Sequence, residues 1–304
     1  MGYELFFRGR REEESTLSVF QRYFARRSHC RQTDDTTFGY DNHFTGVDFQ
    51  FWIGLDLERS EWVVRFSMNV FRPRFFALEA EPEVAAFVER FGFDVDDPRT
   101  QGMGDGPYTR EGFLKSWDGA NEVSHGLVLA SGLPVPVRTA PMAVSERIWR
   151  WNHLSPVPLS PRDGELDYPS IYHVERDGRA VTVAQWYDGL PTMLPEVQYI
   201  LLVRKELATP DATETELKLV TFDELASLLA GYEKRTIDGM PCLVPLSREP
   251  VPALLDWFRA LTPDADRPTA VWPDTILDEE LVEKARAGLC RMDGELSATA
   301  VPLK

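Results

Sequence analysis

The 304-residue chain has no run of apolar residues long enough to cross a membrane. A membrane-spanning helix needs about 20 consecutive apolar residues, and no segment of the sequence approaches that length. The amino-terminal segment becomes charged at Glu4 and Arg8, which is too early for the apolar stretch of a secretory signal. We therefore expect a protein that has no membrane partner.

Cysteine is also scarce, since the chain has only Cys30, Cys242 and Cys290. No two of them form a Cys-x-x-Cys pair, and an odd, widely spaced set does not suit a disulfide framework or a zinc site. Their number and spacing predict a cytoplasmic protein with reduced thiols. They give no reason to expect a bound metal or another cofactor.

Positive charge is the third shortage: 33 Lys and Arg residues stand against 49 Asp and Glu, which gives a net charge of −16 at pH 7. An acidic surface repels the phosphates of nucleic acids and anionic lipids. The arginines between Arg8 and Arg31 are interrupted by three acids at 12–14, so we interpret them as a solvated helix face and expect no nucleic-acid partner. The charge favours a basic protein as partner; the alternative is that it serves solubility alone.

The sequence contains no complete catalytic motif. It lacks the Gly-x-Ser-x-Gly of hydrolases and the His-Glu-x-x-His of zinc proteases. A glycine-rich stretch, 102–106, lies between a predicted strand and a predicted helix, where phosphate-binding loops occur. However, Pro107 and Tyr108 follow at the place where a P-loop has Lys and Ser or Thr. We predict a tight structural loop there rather than a nucleotide site.

Four acids border this loop: Asp94, Asp96, Asp97 and Asp105. Clustered carboxylates can hold Ca²⁺ or Mg²⁺, but the spacing of a calcium-binding EF-hand loop is absent. Two interpretations remain, a solvated acidic loop and a contact surface for a basic protein. The four acids are therefore candidate partner-binding residues.

The helix predicted to open at Thr109 carries Asp118, Glu122 and His125 at i, i+4 and i+7, so the three share one face. Glu-x-x-His is a spacing that di-iron proteins use on two helices, whereas it occurs once here. The stripe predicted to be buried consists of Phe113, Trp117, Ala120, Ser124 and Leu127. The polar face is then exposed or lines a cleft between lobes. It is the candidate acid/base or metal site, and an ordinary solvated helix face is the alternative.

A second cluster, Trp149, Arg150 and Trp151, falls within a helix predicted over 141–153. Side chains at i and i+2 of a helix point to different sides, so we expect one of the two indole rings to be partly exposed. Exposed Trp and Arg often anchor protein interfaces. The alternative is that both rings pack in the interior, as Trp usually does.

Periodicity predicts the fold class. Segments 47–53 and 62–68 alternate with period two, and Asp-Gly pairs at 177–178 and 238–239 mark tight hairpin turns. Helices are predicted between the hairpins, one of them over 81–91, while 71–76 is expected to form an edge strand or a break at Pro73. The pattern predicts an α+β fold of largely antiparallel sheets with hairpins and inserted amphipathic helices, in two lobes. We place them at 1–132 and 142–304, with a Pro-rich connection over 133–141, or one continuous domain as the alternative.

These observations favour a non-catalytic acidic protein that binds a basic protein, as an inhibitor or immunity-type protein that neutralises a toxin would. One alternative is an enzyme with an acid/base or metal site around Asp118, Glu122 and His125. Another is a structural or assembly component. The sequence leaves the oligomeric state open.

Overall fold

A computed structural model of the chain describes residues 2–10, 17–56, 58, 61–99, 102–131, 137–154, 166–208 and 215–298. The chain divides into two compact units, one of Met1–Met142 with Leu277–Lys304 and one of Ala143–Ile276. The predicted lobe bounds stay a prediction, and residues 133–136 of the predicted connection lie outside the described residues. No helix of the described part has both the length and the apolar character that a membrane crossing requires.

Both units contain helices and strands, with runs of several strands between successive helices. The helices are α1 (Leu17–Phe24), α2 (Phe75–Phe91), α3 (Arg110–Ala130), α4 (Met142–Leu154), α5 (Phe222–Leu225), α6 (Pro252–Ala260) and α7 (Glu279–Ala298). The strands are β1 (Gly2–Arg10), β2 (Cys30–Gln32), β3 (Thr37–Asn42), β4 (Val47–Asp56), β5 (Glu61–Asn69), β6 (Asp94–Asp97), β7 (Gly104–Gly106), β8 (Arg138–Ala140), β9 (Ile171–Arg176), β10 (Arg179–Tyr187), β11 (Leu194–Pro195), β12 (Tyr199–Arg204), β13 (Glu216–Thr221), β14 (Tyr232–Ile237), β15 (Met240–Pro245), β16 (Thr269–Val271) and β17 (Ile276–Asp278).

The first unit is built on an antiparallel sheet with the strand order β2-β3-β4-β5-β1-β6-β7. Alternation along each strand sends one set of side chains into the core and the next set to the other face, because the side-chain period of a strand is two. Rings from α1, α2 and α3 pack on the inward set, with Phe24 on Phe38, Phe87 on Phe51 and Phe113 on Tyr3. The prediction that most rings of these strands form the core is confirmed.

Helix α2 corrects the sequence prediction over 71–91. It begins at Phe75 rather than at Glu81, and Pro82 lies inside the helix instead of in its first turn. The backbone N–H of Arg74 donates to Oδ2 of Asp278 at 2.7 Å, so the N-terminus of α2 is satisfied by a carboxylate 204 positions away in the sequence. An unsatisfied helix N-terminus attracts an acid, but local sequence cannot reveal an acid so distant. No edge strand forms over 71–76.

The second unit combines a sheet of order β13-β12-β10-β9-β16 with a smaller one of order β11-β15-β14. Both Asp-Gly turns occur as predicted, with positive φ at both of their central residues, from 47° at Asp238 to 82° at Gly239. Strand β12 pairs in parallel with β10 on one side and antiparallel with β13 on the other. The predicted α+β fold with largely antiparallel sheets is thus confirmed.

His173 on β9 gives the second unit a pH-dependent stability. The residue is 6% exposed, and neither ring nitrogen has a hydrogen-bond partner among the described residues. Burial lowers the pKa of His173 to about 4, against about 6.5 in an unfolded chain. Between these values the unfolded state binds the proton and the folded state does not. The contribution of neutral His173 to the free energy of unfolding is therefore present in full above pH 6.5 and is lost as the pH falls towards 4.

We expect acidification from pH 7 to pH 4 to cost the wild-type chain about 3 kcal/mol through His173 alone. Urea unfolding of the wild type and of His173→Phe across this range would measure it, because the variant lacks that part of the pH dependence. His29→Asn is the matched control, since His29 is exposed and has φ 63°, which Asn tolerates. Parallel pH profiles for the wild type and His173→Phe would contradict the expectation.

Candidate functional site

The first sheet presents a second face, opposite to α1, α2 and α3, which we call the open face. It is formed by the side chains of β1 and β3–β7 that alternate with the buried ones. Its charged side chains keep substantial exposure, for example 31% for Asp96 and 51% for Asp41. Its members include Glu4, Phe6, Arg8, Asp41, Asp48, Trp52, Gly54, Arg65, Asp94, Asp96 and Asp105.

Strand register places an aromatic and arginine row across the middle of the open face. Trp52 lies opposite Arg65, Arg65 opposite Phe6, and Phe6 opposite Asp96. The guanidinium carbon of Arg65 is 5.9 Å from the centroid of the Trp52 ring, within the range of a cation–π contact. Nη1 of Arg65 also lies 3.8 Å from Oε1 of Glu4. The row therefore holds two aromatic rings and a cation in a fixed order on adjacent strands.

Gly54 permits the position of the Trp52 ring. The indole lies along β4 over Gly54, and a Cβ at position 54 would collide with its six-membered ring. The ring remains 38% exposed. A large aromatic side chain that is held flat and still reaches solvent is suited to contact another molecule, since little conformational freedom is lost on binding.

Carboxylates flank this row on both sides of the open face. Asp41 on β3 lies opposite Asp48 on β4, and Asp105 on β7 lies opposite Asp96 on β6. Asp94 is exposed, on the same face as Asp96. Arg8 pairs with Asp96 at 3.3 Å and Arg31 pairs with Asp41 at 3.1 Å. The face carries Arg8 and Arg65, with Arg31 of β2 beside it, and a larger set of acids at positions 4, 41, 48, 94, 96 and 105. Its net charge is therefore negative.

Of the four acids predicted to bind a partner, Asp97 differs from the rest. It is 3% exposed, and its carboxylate accepts hydrogen bonds from the backbone N–H groups of Arg99 at 3.2 Å and Met103 at 3.0 Å. A Cβ on Gly102 would collide with this carboxylate. The Asp97 carboxylate therefore occupies the interior of the glycine-rich loop. This burial is contrary to a contact role for Asp97 and agrees with the predicted structural loop.

The predicted polar face of α3 is divided by the structure. His125 is fully buried, its Nδ1 lies 2.8 Å from the carbonyl oxygen of Asn121, and its ring packs on Phe71 at 4.7 Å. Burial lowers the pKa of His125. Leu127, expected in the buried stripe, is 55% exposed. Both expectations were wrong because the turn before α2 and helix α7 also cover α3, which shifts its buried arc towards Asn121.

The two acids of this group have cationic neighbours. Asp118 accepts from Nε of Arg74 at 3.3 Å, and Glu122 accepts from Nζ of Lys284 at 2.6 Å. The structure does not gather Asp118, Glu122 and His125 around one space. Within the described residues no group of three or more His, Cys, Asp or Glu side chains is placed to hold a metal ion.

The tryptophan pair of α4 lies in the second unit. Trp151 is 2% exposed and its Nε1 donates to the carbonyl oxygen of Pro169 at 2.8 Å, so this ring is not available to a partner. Trp149 is half-buried and stacks on His153 at 5.5 Å, and Arg150 is exposed and pairs with Glu146 at 3.1 Å. A contact role for Trp149 and Arg150 stays a prediction.

The sequence-based candidates omitted Trp52, Arg65 and Phe6. A signal for Trp52 exists. In 47–53 the residues at 47, 49, 51 and 53 form the apolar face of the strand, and Trp52 lies on the opposite face with Asp48 and Gln50.

No protein-family model, curated protein or solved structure matches the chain.

Proposed function

We propose that this chain is a non-catalytic acidic protein-binding module that binds a basic protein through the open face. In this proposal it acts in the cytoplasm as an inhibitor or immunity-type protein and neutralises a basic partner such as a toxin. The observation that carries the proposal is the Trp52–Arg65–Phe6 row, in which Trp52 is exposed and the other two side chains are half-buried, flanked by carboxylates on both sides. Its chemistry is that of an interface with an aromatic centre and a charged rim.

The dimensions and the charge of the open face support this use. From β3 to β7 it spans five strand spacings, about 24 Å. A standard interface covers about 800 Å² on each partner, a patch about 28 Å on a side, so the open face is wide enough to provide most of one. The net charge of −16 attracts a basic protein over a distance and raises its association rate. Trp52 and Arg65 then supply the short-range contacts, since Trp and Arg are the residues that most often dominate binding energy.

The contacts around α3 do not favour the enzyme alternative. Asp118 and Glu122 have cationic neighbours, and His125 is enclosed. A candidate acid/base set needs titratable groups that converge on a space for substrate, and these three side chains have separate neighbours. The open face therefore remains the stronger basis for a function.

Capture from the native host lysate tests the proposal when it is done with matched variants. We expect the wild-type chain to retain one basic protein in stoichiometric amount, and Trp52→Ala to lose most of it, because truncation of a central aromatic anchor costs about 2 kcal/mol or more, about 30-fold in affinity. Phe44→Ala is the control, since Phe44 is exposed and lies in the turn before β4 rather than on the open face. Quantitative mass spectrometry of the retained proteins is the measurement.

Two outcomes would contradict the proposal. In the first, no retained protein distinguishes wild type from Trp52→Ala. In the second, the protein lost on Trp52→Ala is a further copy of this chain, which favours the assembly alternative. Circular dichroism of each variant establishes that it is folded before capture.

A further inference from the structure

A groove of about 580 Å³ lies in the second unit. It is formed between the β11-β15-β14 sheet and the segment that begins with α5, and its volume is typical of a site for a small ligand. Leu243 of β15 forms part of the floor, and Phe222 and Leu229 form part of the wall. These apolar side chains share the lining with polar ones, among them Tyr232 and Thr236.

Charged side chains border the groove at opposite edges of the small sheet. Lys234 lies on β14, one edge strand, and Glu196 follows directly after β11, the other edge strand. The backbone N–H of Glu196 donates to the carbonyl oxygen of Pro241 at 2.8 Å, which holds Glu196 beside β15. Since adjacent strands are about 4.8 Å apart, the two edges are about 10 Å apart.

Asp223 adds a second carboxylate on the side of Glu196. The backbone N–H of Phe222 donates to the carbonyl oxygen of Gln198 at 3.2 Å, so α5 begins next to the chain that follows Glu196. Among the described side chains, Lys234, Glu196 and Asp223 enter no ion pair, whereas Arg235 pairs with Glu233. The groove therefore has the Lys234 ammonium group and the paired Arg235 at one edge, carboxylates at the other, and apolar side chains such as Leu243 between them.

We propose that this groove binds a short apolar peptide of about three residues with both termini charged. Its ammonium terminus lies against Glu196 and Asp223, its carboxylate terminus against Lys234, and its central side chain against Leu243 and Leu229. Three extended residues span about 10 Å, which matches the separation of the two edges. The charge pattern favours a zwitterion, because a ligand that lacks one terminal charge can form an ion pair at only one edge of the groove. This site is independent of the proposed binding of a basic protein.

The probe is the tripeptide Ala-Leu-Ala, titrated calorimetrically into the full chain with free termini, N-acetylated, and amidated at the carboxyl end. We expect the free tripeptide to bind about 3–5-fold more tightly than either blocked form, the contribution of one exposed ion pair. Lys234→Met removes the preference for the free carboxylate and keeps the preference for the free ammonium group. Lys205→Met, at an exposed lysine outside the groove, leaves both preferences unchanged.

Two results would overturn the inference. One is equal binding of the three forms. The other is no binding of the free tripeptide at about 5 mM by a folded chain, because an apolar contact with two ion pairs implies a higher affinity than that. Asp94→Lys with Asp105→Lys on the open face serves as a further control. We expect it to leave tripeptide binding unaltered, so failure of this site and failure of the proposed function are distinguishable.

Discussion

Replacement of Glu79 by alanine is expected to lower the free energy of unfolding by about 3–5 kcal/mol. Glu79 lies on α2, is 2% exposed, and its Oε1 accepts hydrogen bonds from the hydroxyl of Tyr40 at 2.7 Å, Nδ2 of Asn42 at 2.7 Å and Oγ1 of Thr45 at 3.0 Å. The substitution leaves three buried donors without this acceptor, and each unsatisfied donor costs about 1–3 kcal/mol. These hydrogen bonds also connect α2 to β3 and to the turn between β3 and β4.

Urea unfolding at pH 7 measures this loss. Glu89→Ala is the matched control, because Glu89 lies on the same helix and is exposed, and a surface substitution changes stability by about 0.5 kcal/mol or less. Glu79→Gln keeps an acceptor oxygen and falls between the two. A loss below about 1 kcal/mol for Glu79→Ala would show that the buried donors find other acceptors.

Replacement of Phe87 by alanine is expected to cost about 3–5 kcal/mol, the usual range for removal of a buried phenylalanine ring. Phe87 is fully buried at the centre of the aromatic core of the first unit. Seven rings have centroids between 4.9 and 6.3 Å from its own: Phe7, Phe20, Tyr23, Phe24, Phe51, Phe91 and Phe93. These rings come from two helices, from strands β1 and β4 and from the residue before β6, so collapse of the cavity would require many of them to move.

Thermal and urea unfolding of Phe87→Ala and Phe87→Leu give the comparison. Leucine restores much of the volume, so we expect its loss to be less than half that of alanine. Equal losses for the two variants would mean that the ring geometry rather than the filled volume stabilises this core. An effect below about 1 kcal/mol for alanine would contradict the central role of Phe87.

Much of the fold was predictable because its signals are local. The Asp-Gly turns at 177–178 and 238–239 select tight hairpins. The side chain of Thr109 accepts from the N–H of Gly112 and caps α3, and Thr221 forms a capping box with Glu224 at α5. Alternation in β4 and β5 specifies which of their side chains are buried. Each of these features is decided by residues within one turn or one strand of each other.

The remaining features depend on contacts that are distant in sequence. The insertion of β1 between β5 and β6 assembles the open face, and no local pattern encodes that strand order. The start of α2 depends on Asp278, and the burial of His125 depends on Phe71 and on elements that pack over α3. Three of the four predicted acids share the open face, but its centre at Arg65 and Phe6 emerges only once β1, β4 and β5 are paired.

The salt dependence of association tests the central claim most directly. The measurement is the stopped-flow association rate constant between this chain and the basic protein that it captures, over about 0.02–0.5 M salt. The variant Asp94→Lys with Asp105→Lys is compared with Glu89→Lys with Glu283→Lys, which makes the same change in net charge at exposed positions on α2 and α7. We predict that the open-face variant lowers the low-salt rate by about 10-fold or more and flattens the salt dependence, while the helix variant stays close to wild type. Equal effects of the two variants would show that net charge alone drives association and would contradict binding at the open face.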